Sequence, residues 1–231
     1  MKIAVVTPYF TESSAILKRC HESVMSQSYK NVVHIMIADG HPNLSIADMP
    51  NVEHIILSDC HEDAGATPRA IGAISAFSRN FDAVAFLDAD NTFTVSHLET
   101  MVNAAGDNDV VTATRNICDT NGVVMYTDTI ESTGSEFCDT NCLFIKNTIL
   151  HLLTHWIATA DRRLLSDRQF WNVIANSTAN RVHITVPTVN YYSKWSWHYE
   201  QAGMVPPADS VRFGYLNDGT LIQHKYKDTL N

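Results

Sequence analysis

The stretch Phe86-Leu87-Asp88-Ala89-Asp90-Asn91 ends an unbroken apolar run, Ala83–Leu87, on a pair of aspartates. So short and so apolar a run predicts a strand buried on both faces, as in a parallel sheet covered by helices. Acids that follow such a strand lie at its carboxyl end, where open α/β sheets bind their ligands. On an extended backbone Asp88 and Asp90 point to the same side. Two like charges placed so close call for a cation. Hard oxygen donors suit Mn²⁺ or Mg²⁺, which keep coordination positions for phosphate oxygens. An acidic turn in solvent is the competing account of the same residues.

Reading outward from this stretch, strands and helices alternate. Lys2–Thr7 is an apolar run halted at Pro8, a buried strand and then a loop. Ile16, Leu17, Cys20 and Val24 fall on one helical face behind Thr11, Ser13 and Ser14 as caps. Val32–Ala38 and Val52–Leu57 read as strands, separated by the turn formers Gly40, Pro42 and Asn43. Ala70, Ile71, Ile74 and Phe77 mark a second helix, Ser96–Ala105 a third, and Val110–Thr114 another strand. That order implies a mostly parallel, Rossmann-like α/β sheet with helices on both faces.

Beyond residue 115 the pattern is less regular. Gly122–Tyr126, Phe137–Ile145 and Arg181–Val186 read as strands, and Thr148–Trp156 and Asp167–Ala175 as helices. The tail from Tyr191, mixing aromatics, prolines and glycines, reads as a loop or lid. The expectation is one domain over 1–231, with a nucleotide-binding half at 1–115 and a more irregular half at 116–231.

Composition narrows the function. At 231 residues, 45% apolar and 18% charged, the chain has the make-up of an ordinary globular domain. A net charge of −9 argues against a nucleic-acid partner, and no run is long enough for a transmembrane segment. The run after Met1 is too short for a secretory signal. Five cysteines without a Cys-x-x-Cys pair argue against a disulfide framework, so a cytoplasmic location is expected. An acidic chain that binds an anion needs a local device, and a divalent ion on carboxylates is one.

Several ordered segments, taken together, resemble the family 2 glycosyltransferases of the GT-A fold. They are Ala4-Val5-Val6-Thr7-Pro8-Tyr9, Leu17–Val24 with Gln27–Asn31, Ile35–Gly40, Asp63-Ala64-Gly65-Ala66-Thr67-Pro68-Arg69, and Phe86–Asp90 at the place of the family's Asp-x-Asp motif. The resemblance implies an inverting transferase that moves a sugar from a nucleotide-sugar donor, a UDP-sugar by preference. The acceptor hydroxyl would belong to a glycan, a lipid-linked molecule or a small molecule. It implies that Thr7, Pro8 and Tyr9 wrap the base, and that Asp39 receives a base or ribose hydrogen bond. Asp63 and Arg69 would complete the nucleoside and phosphate pocket, Asp88 would contact ribose or metal, and Asp90 would bind metal. The family often continues with an acidic, serine-rich turn where this chain has Asp39-Gly40-His41-Pro42-Asn43, with Ala38 in place of the first acid.

Inversion needs a base for the acceptor proton. The family usually takes it from a helix start in the second half, which Ser166-Asp167-Arg168-Gln169 matches, with Asp167 as base. Ser166 and Gln169 also form a capping-box pattern, and Asp139 is the alternative base. A C-terminal histidine often joins the metal or phosphate; His198 fits, and Lys194 would pair with the diphosphate. Trp195 and Trp197 would stack on a sugar or be buried. His151 and His155 have zinc-like spacing but no accompanying glutamate. Two other readings are weaker. Nucleotidyl transfer to a sugar phosphate wants a glycine-rich basic loop after the first strand, which Pro8–Ser13 lacks. A non-catalytic sugar-nucleotide-binding module would not need Asp167.

Overall fold

A computed structural model describes residues 1–158, 165–215 and 221–229. Strands β1 (Ile3–Tyr9), β2 (Val32–Asp39), β3 (Val52–Leu57) and β4 (Ala83–Phe86) are mutually parallel in the order β3-β2-β1-β4. The sheet then continues through β8 (Leu143–Lys146), β6 (Val110–Cys118), β9 (Arg181–Tyr192) and β5 (Thr92–Phe93), with β7 (Val124–Thr127) hairpinned onto β6. β8 is antiparallel to both β4 and β6, while β9 is parallel to β6. Six strands therefore run one way, and β5, β7 and β8 the other. The α/β expectation holds, and the central core runs from Ile3–Val6 through Val84–Leu87 to Phe144 and Ile145.

Helix α1 (Ser14–Met25) follows β1. Ser13 caps it by accepting from the Ile16 amide, and Leu17, Cys20 and Val24 face inward. Helix α2 (Ala66–Ser78) differs in detail from its predicted face. Ile74 points to solvent, and Gly72, Ala73 and Ala76 meet the sheet instead. A methyl group on Gly72 would lie 2.7 Å from Val6 Cγ1, so the small residues serve a close helix–sheet approach. Helix α3 (His97–Ala105) packs beside β6 and β9.

Pro8 does not end β1; it pairs with Ile37 inside the strand. The Leu87 amide bonds to the Val6 carbonyl, so Val6 and Pro8 turn their backbone groups toward β4, and β4 ends at Phe86. The donor that proline lacks thus falls where no partner strand remains.

The second half departs further from its pattern. Phe137–Ile145 is not one strand but a loop, a 3-10 turn at Thr140–Cys142, and then β8. Thr148–Trp156 divides between a 3-10 stretch (Asn147–Leu152) and the short helix α4 (Thr154–Ala158). β9 runs well past Val186, through Pro187, with register shifts against β6. The tail is more than a loop: it forms α6 (Ser196–Gln201) and a hairpin of β10 (Val211–Tyr215) with β11 (Leu221–Lys225). Its residues 216–220 and 230–231 lie outside the described residues.

Candidate active site

The carboxyl ends of β1, β2 and β4 open into a cavity of about 480 Å³. It is lined by Pro8, Tyr9, Asp39, Arg69, Asp88 and Asp90 from the first half of the sequence and by Asp139, Asp167, Tyr191, Lys194, Trp195 and Phe213 from the second. Residues from both halves of the sequence thus share one space. It lies at the sheet edge where α/β proteins bind ligands.

Asp88 follows β4 and is tied on every side. Arg69 of α2 bonds to Oδ1. Asn141 donates to Oδ2 at 2.9 Å and accepts from the Asp88 amide at 2.6 Å. Burial alone would raise the Asp88 carboxyl, but Arg69 and Asn141 outweigh it and hold the group below its ordinary range. Arg69 is itself buried, not a solvated first-turn residue. Asp90 is different. Its charged neighbour is Lys194, with Nζ 3.7 Å from Oδ2. Burial raises its carboxyl, Lys194 offsets part of that, and the charges of Asp88 and Glu12 add to it.

Among the described residues no three His, Cys, Asp or Glu side chains converge into a ready-made metal cage. Mg²⁺-type sites are often completed by phosphate and water around one or two carboxylates, and this donor set fits that kind. Asp90 has the greater spare capacity for a cation, since both oxygens of Asp88 already accept hydrogen bonds.

The wall next to the ends of β1 and β2 is built by loops. Asp39 ends β2, and its carboxylate accepts from the amides of His61 and Glu62 and lies 2.7 Å from His61 Nδ1. The Tyr9 hydroxyl accepts from the Asn43 amide at 2.9 Å and lies 2.7 Å from His54 Nε2, which fixes its ring. Glu62, Ala64 and Gly65 all adopt left-handed backbone, with φ of 49°, 57° and 81°. A side chain on Gly65 would press on Arg69 Nη1 at 3.0 Å and Pro8 Cγ at 3.1 Å, so only glycine lets this loop approach β1.

Asp167 stands in the first turn of α5 (Ser166–Ala175), half-buried on the cavity wall. The cap position falls on Leu165, so Ser166 is the first helical residue and the expected capping box is not the device that starts this helix. Burial, then the charge on Asp139, lifts the Asp167 carboxyl to about 6. Asp139 is held otherwise: Arg115 bonds to Oδ2, and Oδ1 accepts from the Asn141 amide at 2.9 Å and from Asn141 Nδ2 at 2.7 Å. Arg115, fully inside, also bonds to Asp128 and Glu131 and lies under the Tyr191 ring at 4.6 Å.

Three residues expected in the site do not reach it. Thr7 is fully buried, and its hydroxyl lies 2.9 Å from His34 Nε2 beneath the sheet edge. Asp63 is buried under its own loop and caps α2, accepting from the Thr67 amide at 2.9 Å. His198 is buried among Tyr126, Tyr191 and Trp197, with Nδ1 2.7 Å from Ser193 Oγ and Nε2 3.8 Å from Glu131. It thus belongs to the Arg115 carboxylate network and not to the cavity wall. Trp195 lines the cavity, whereas Trp197 packs behind it at 4.5 Å. Sequence reasoning missed Glu12, Tyr191, Asn141 and Arg115. The uncharged, strand-forming stretch Val110–Thr114 before Arg115 was the one available signal of a buried cation.

This arrangement is an α/β architecture of the GT-A kind. Residues 4–168 match the family description "Glycosyl transferase family 2", and the chain belongs to that family. It is 27% identical over 103 residues to the Glycosyltransferase GlyA of Streptococcus pneumoniae serotype 4, a match covering 43% of this chain and 14% of that protein. Among solved structures, S. aureus TarS 1–349 in complex with UDP superposes with a TM-score of 0.63 at 14% identity, covering 87% of this chain and 63% of that one. The same protein in complex with UDP-GlcNAc gives 0.62 at 14% identity, covering 84% and 59%. The chain thus spans a small part of the curated relative and under two thirds of these TarS chains, and the structural likeness establishes the fold. Among the described residues no helix is long and apolar enough to cross a membrane.

Proposed function

We propose that this chain transfers a glycosyl group, with inversion, from a nucleoside diphosphate sugar to an acceptor hydroxyl. The observation that carries the reading is Asp167. Its carboxyl, lifted to about 6, faces the same cavity as Asp88, Asp90, Arg69 and Lys194. A base poised just below neutral pH is ionised when needed yet basic enough to accept a proton. Asp139, the rival, has both oxygens already engaged, accepting hydrogen bonds from Arg115 and Asn141.

In this reading Tyr9 and Asp39 hold the nucleoside, and Lys194 faces the diphosphate. Arg69 holds Asp88 ionised and in place. A divalent ion, Mn²⁺ or Mg²⁺, held chiefly by Asp90 with Asp88 beside it, would supply charge neutralisation for the departing diphosphate. Asp167 removes the acceptor proton as that oxygen forms its bond to the anomeric carbon. The bond to the diphosphate breaks on the opposite face. The uridine preference is supported by the TarS complexes with UDP and UDP-GlcNAc, which share this fold.

The test uses two variants and calorimetry with UDP and Mn²⁺. Asp90→Ala should lose metal-dependent UDP binding. Asp167→Asn should bind UDP as wild type does and lose transfer from UDP-sugars. Undiminished UDP affinity in Asp90→Ala, or an active Asp167→Asn, overturns the corresponding assignment.

A further inference from the structure

Asn141 is fully buried, and every polar atom of its side chain is spent on two acids of the site. Its Oδ1 accepts from the Asp88 amide at 2.6 Å. Its Nδ2 donates to Asp88 Oδ2 at 2.9 Å and to Asp139 Oδ1 at 2.7 Å. The chemistry fixes which end is which. A flipped amide would set its oxygen against two carboxylate oxygens and its NH₂ against an N–H. The backbone amide of Asn141 also donates to Asp139, whose side chain caps the 3-10 turn Thr140–Cys142.

A continuous chain of opposite partners results: Arg115, Asp139, Asn141, Asp88 and Arg69. It joins the acceptor-side wall, which holds Asp139, to the end of β4, which precedes Asp90. From the amide's two-handed geometry we infer that Asn141 is a positioning residue. It sets the orientation of Asp88 and of Asp139 together, and so couples the donor and acceptor sides of the cavity. The inference rests on the proposed reading of the site for its consequence in nucleotide binding, though not for the geometry.

No other common side chain of this size does the same work. Alanine leaves the Asp88 amide and two buried carboxylate oxygens without their partner. Aspartate keeps the shape and the acceptor but loses both donors, and sets a third carboxylate between two others. Asn141→Asp should therefore be worse than Asn141→Ala near neutral pH. A residue that only fills space would order the two variants the other way.

Two measurements test this. Amide hydrogen exchange by NMR, without ligand, should show the Asp88 backbone amide exchanging about tenfold faster in Asn141→Ala than in wild type, because it loses its acceptor. Calorimetry with UDP and Mn²⁺ should show affinity falling by about tenfold in Asn141→Ala and further in Asn141→Asp. Should wild type bind no UDP, the functional reading fails while the exchange rates still judge Asn141. An unchanged Asp88 exchange rate in a folded Asn141→Ala, with only the melting temperature lowered, overturns the inference. If that variant does not fold, Asn141→Ser is measured in its place and held to the same criterion.

Discussion

Asp167 shares its cavity with Asp139, and the charge on Asp139 adds to burial in lifting the Asp167 carboxyl to about 6. Asp139 keeps that charge in the grip of Arg115 and Asn141. The two acids are thereby held differently: Asp139 is fixed in an ion pair with Arg115, while the Asp167 carboxyl is lifted to about 6. Transfer should accordingly rise with pH through a limb near 6 and level off above it. Asp139→Asn removes one of the two upward influences, so the limb should move to lower pH. A rate profile of the variant that keeps its limb at the wild-type position would contradict the pairing.

The same shift carries a stability consequence. An acid whose folded pKa lies above its unfolded one favours the folded state when protonated, and that stability is lost as pH rises from about 4 through about 6. At pH 7 the ionised Asp167 is therefore a burden on the fold. Asp167→Asn should raise the melting temperature by about 2–4 °C at pH 7, and by less at pH 4, in parallel thermal scans.

Buried histidines work in the opposite direction. His34 and His97 are both pushed down to about 3 by burial, with His21 adding to the shift of His34. His21 Nε2 lies 2.9 Å from the Pro50 carbonyl and so carries its proton there, which makes Nδ1 the acceptor for His34 Nδ1–H at 2.9 Å. The rings are coplanar to within 6°, and the Thr7 hydroxyl closes the chain by donating to His34 Nε2. A histidine with a depressed folded pKa contributes stability above about 6.5 that is lost as pH falls toward 3. Each of the two should cost about 1.4 kcal/mol per pH unit across that window. Urea unfolding at pH 7 and pH 5 measures the slope. Equal stability at the two values would show that these rings are hydrated.

Arg115 offers the largest single loss. It is buried with three carboxylates about it; burial works to lower its pKa, but nearby groups, Asp139 foremost and Asp128 among them, raise it. Removing the cation leaves those acids facing one another. Arg115→Leu should destabilise by about 3–5 kcal/mol at pH 7 in denaturant titration. Arg115→Lys, which keeps the charge but not the three-way fork, should fall between. A loss below about 1 kcal/mol in Arg115→Leu would mean that water reaches the network.

The glycine beside Arg69 gives a smaller and more local effect. Gly65→Ala forces a methyl group against Arg69 and Pro8 at a φ of 81°. It should lower the melting temperature by about 2–4 °C. By displacing Arg69 from Asp88 it should also weaken UDP binding by about tenfold, read by calorimetry.

The first half of this architecture could be read from the chain because its signals are local. Ala83–Leu87 announces a buried strand, and Asp88 and Asp90 inherit their place at its end from nothing but the run before them. Thr7 and Asp63 misled because family position says which loop a residue belongs to, not which way its side chain turns. Thr7 turns down to His34, and Asp63 turns inward to the start of α2. Asn141 was invisible for another reason: its partner Asp88 is 53 residues away. They meet because β8 runs antiparallel to β4, which brings the turn before β8 to the level where β4 ends. Neither propensity nor spacing within either segment encodes that reversal.

The left-handed run at Glu62, Ala64 and Gly65 sets a limit on how this molecule can embrace a ligand. Hinges are commonly made of residues with conformations to spare, and here two of the three hold a backbone state that their side chains disfavour, with Gly65 wedged against Pro8 and Arg69. That jaw of the cleft is already set. A ligand entering the cavity that Lys194 and Trp195 also line therefore meets a preformed wall here.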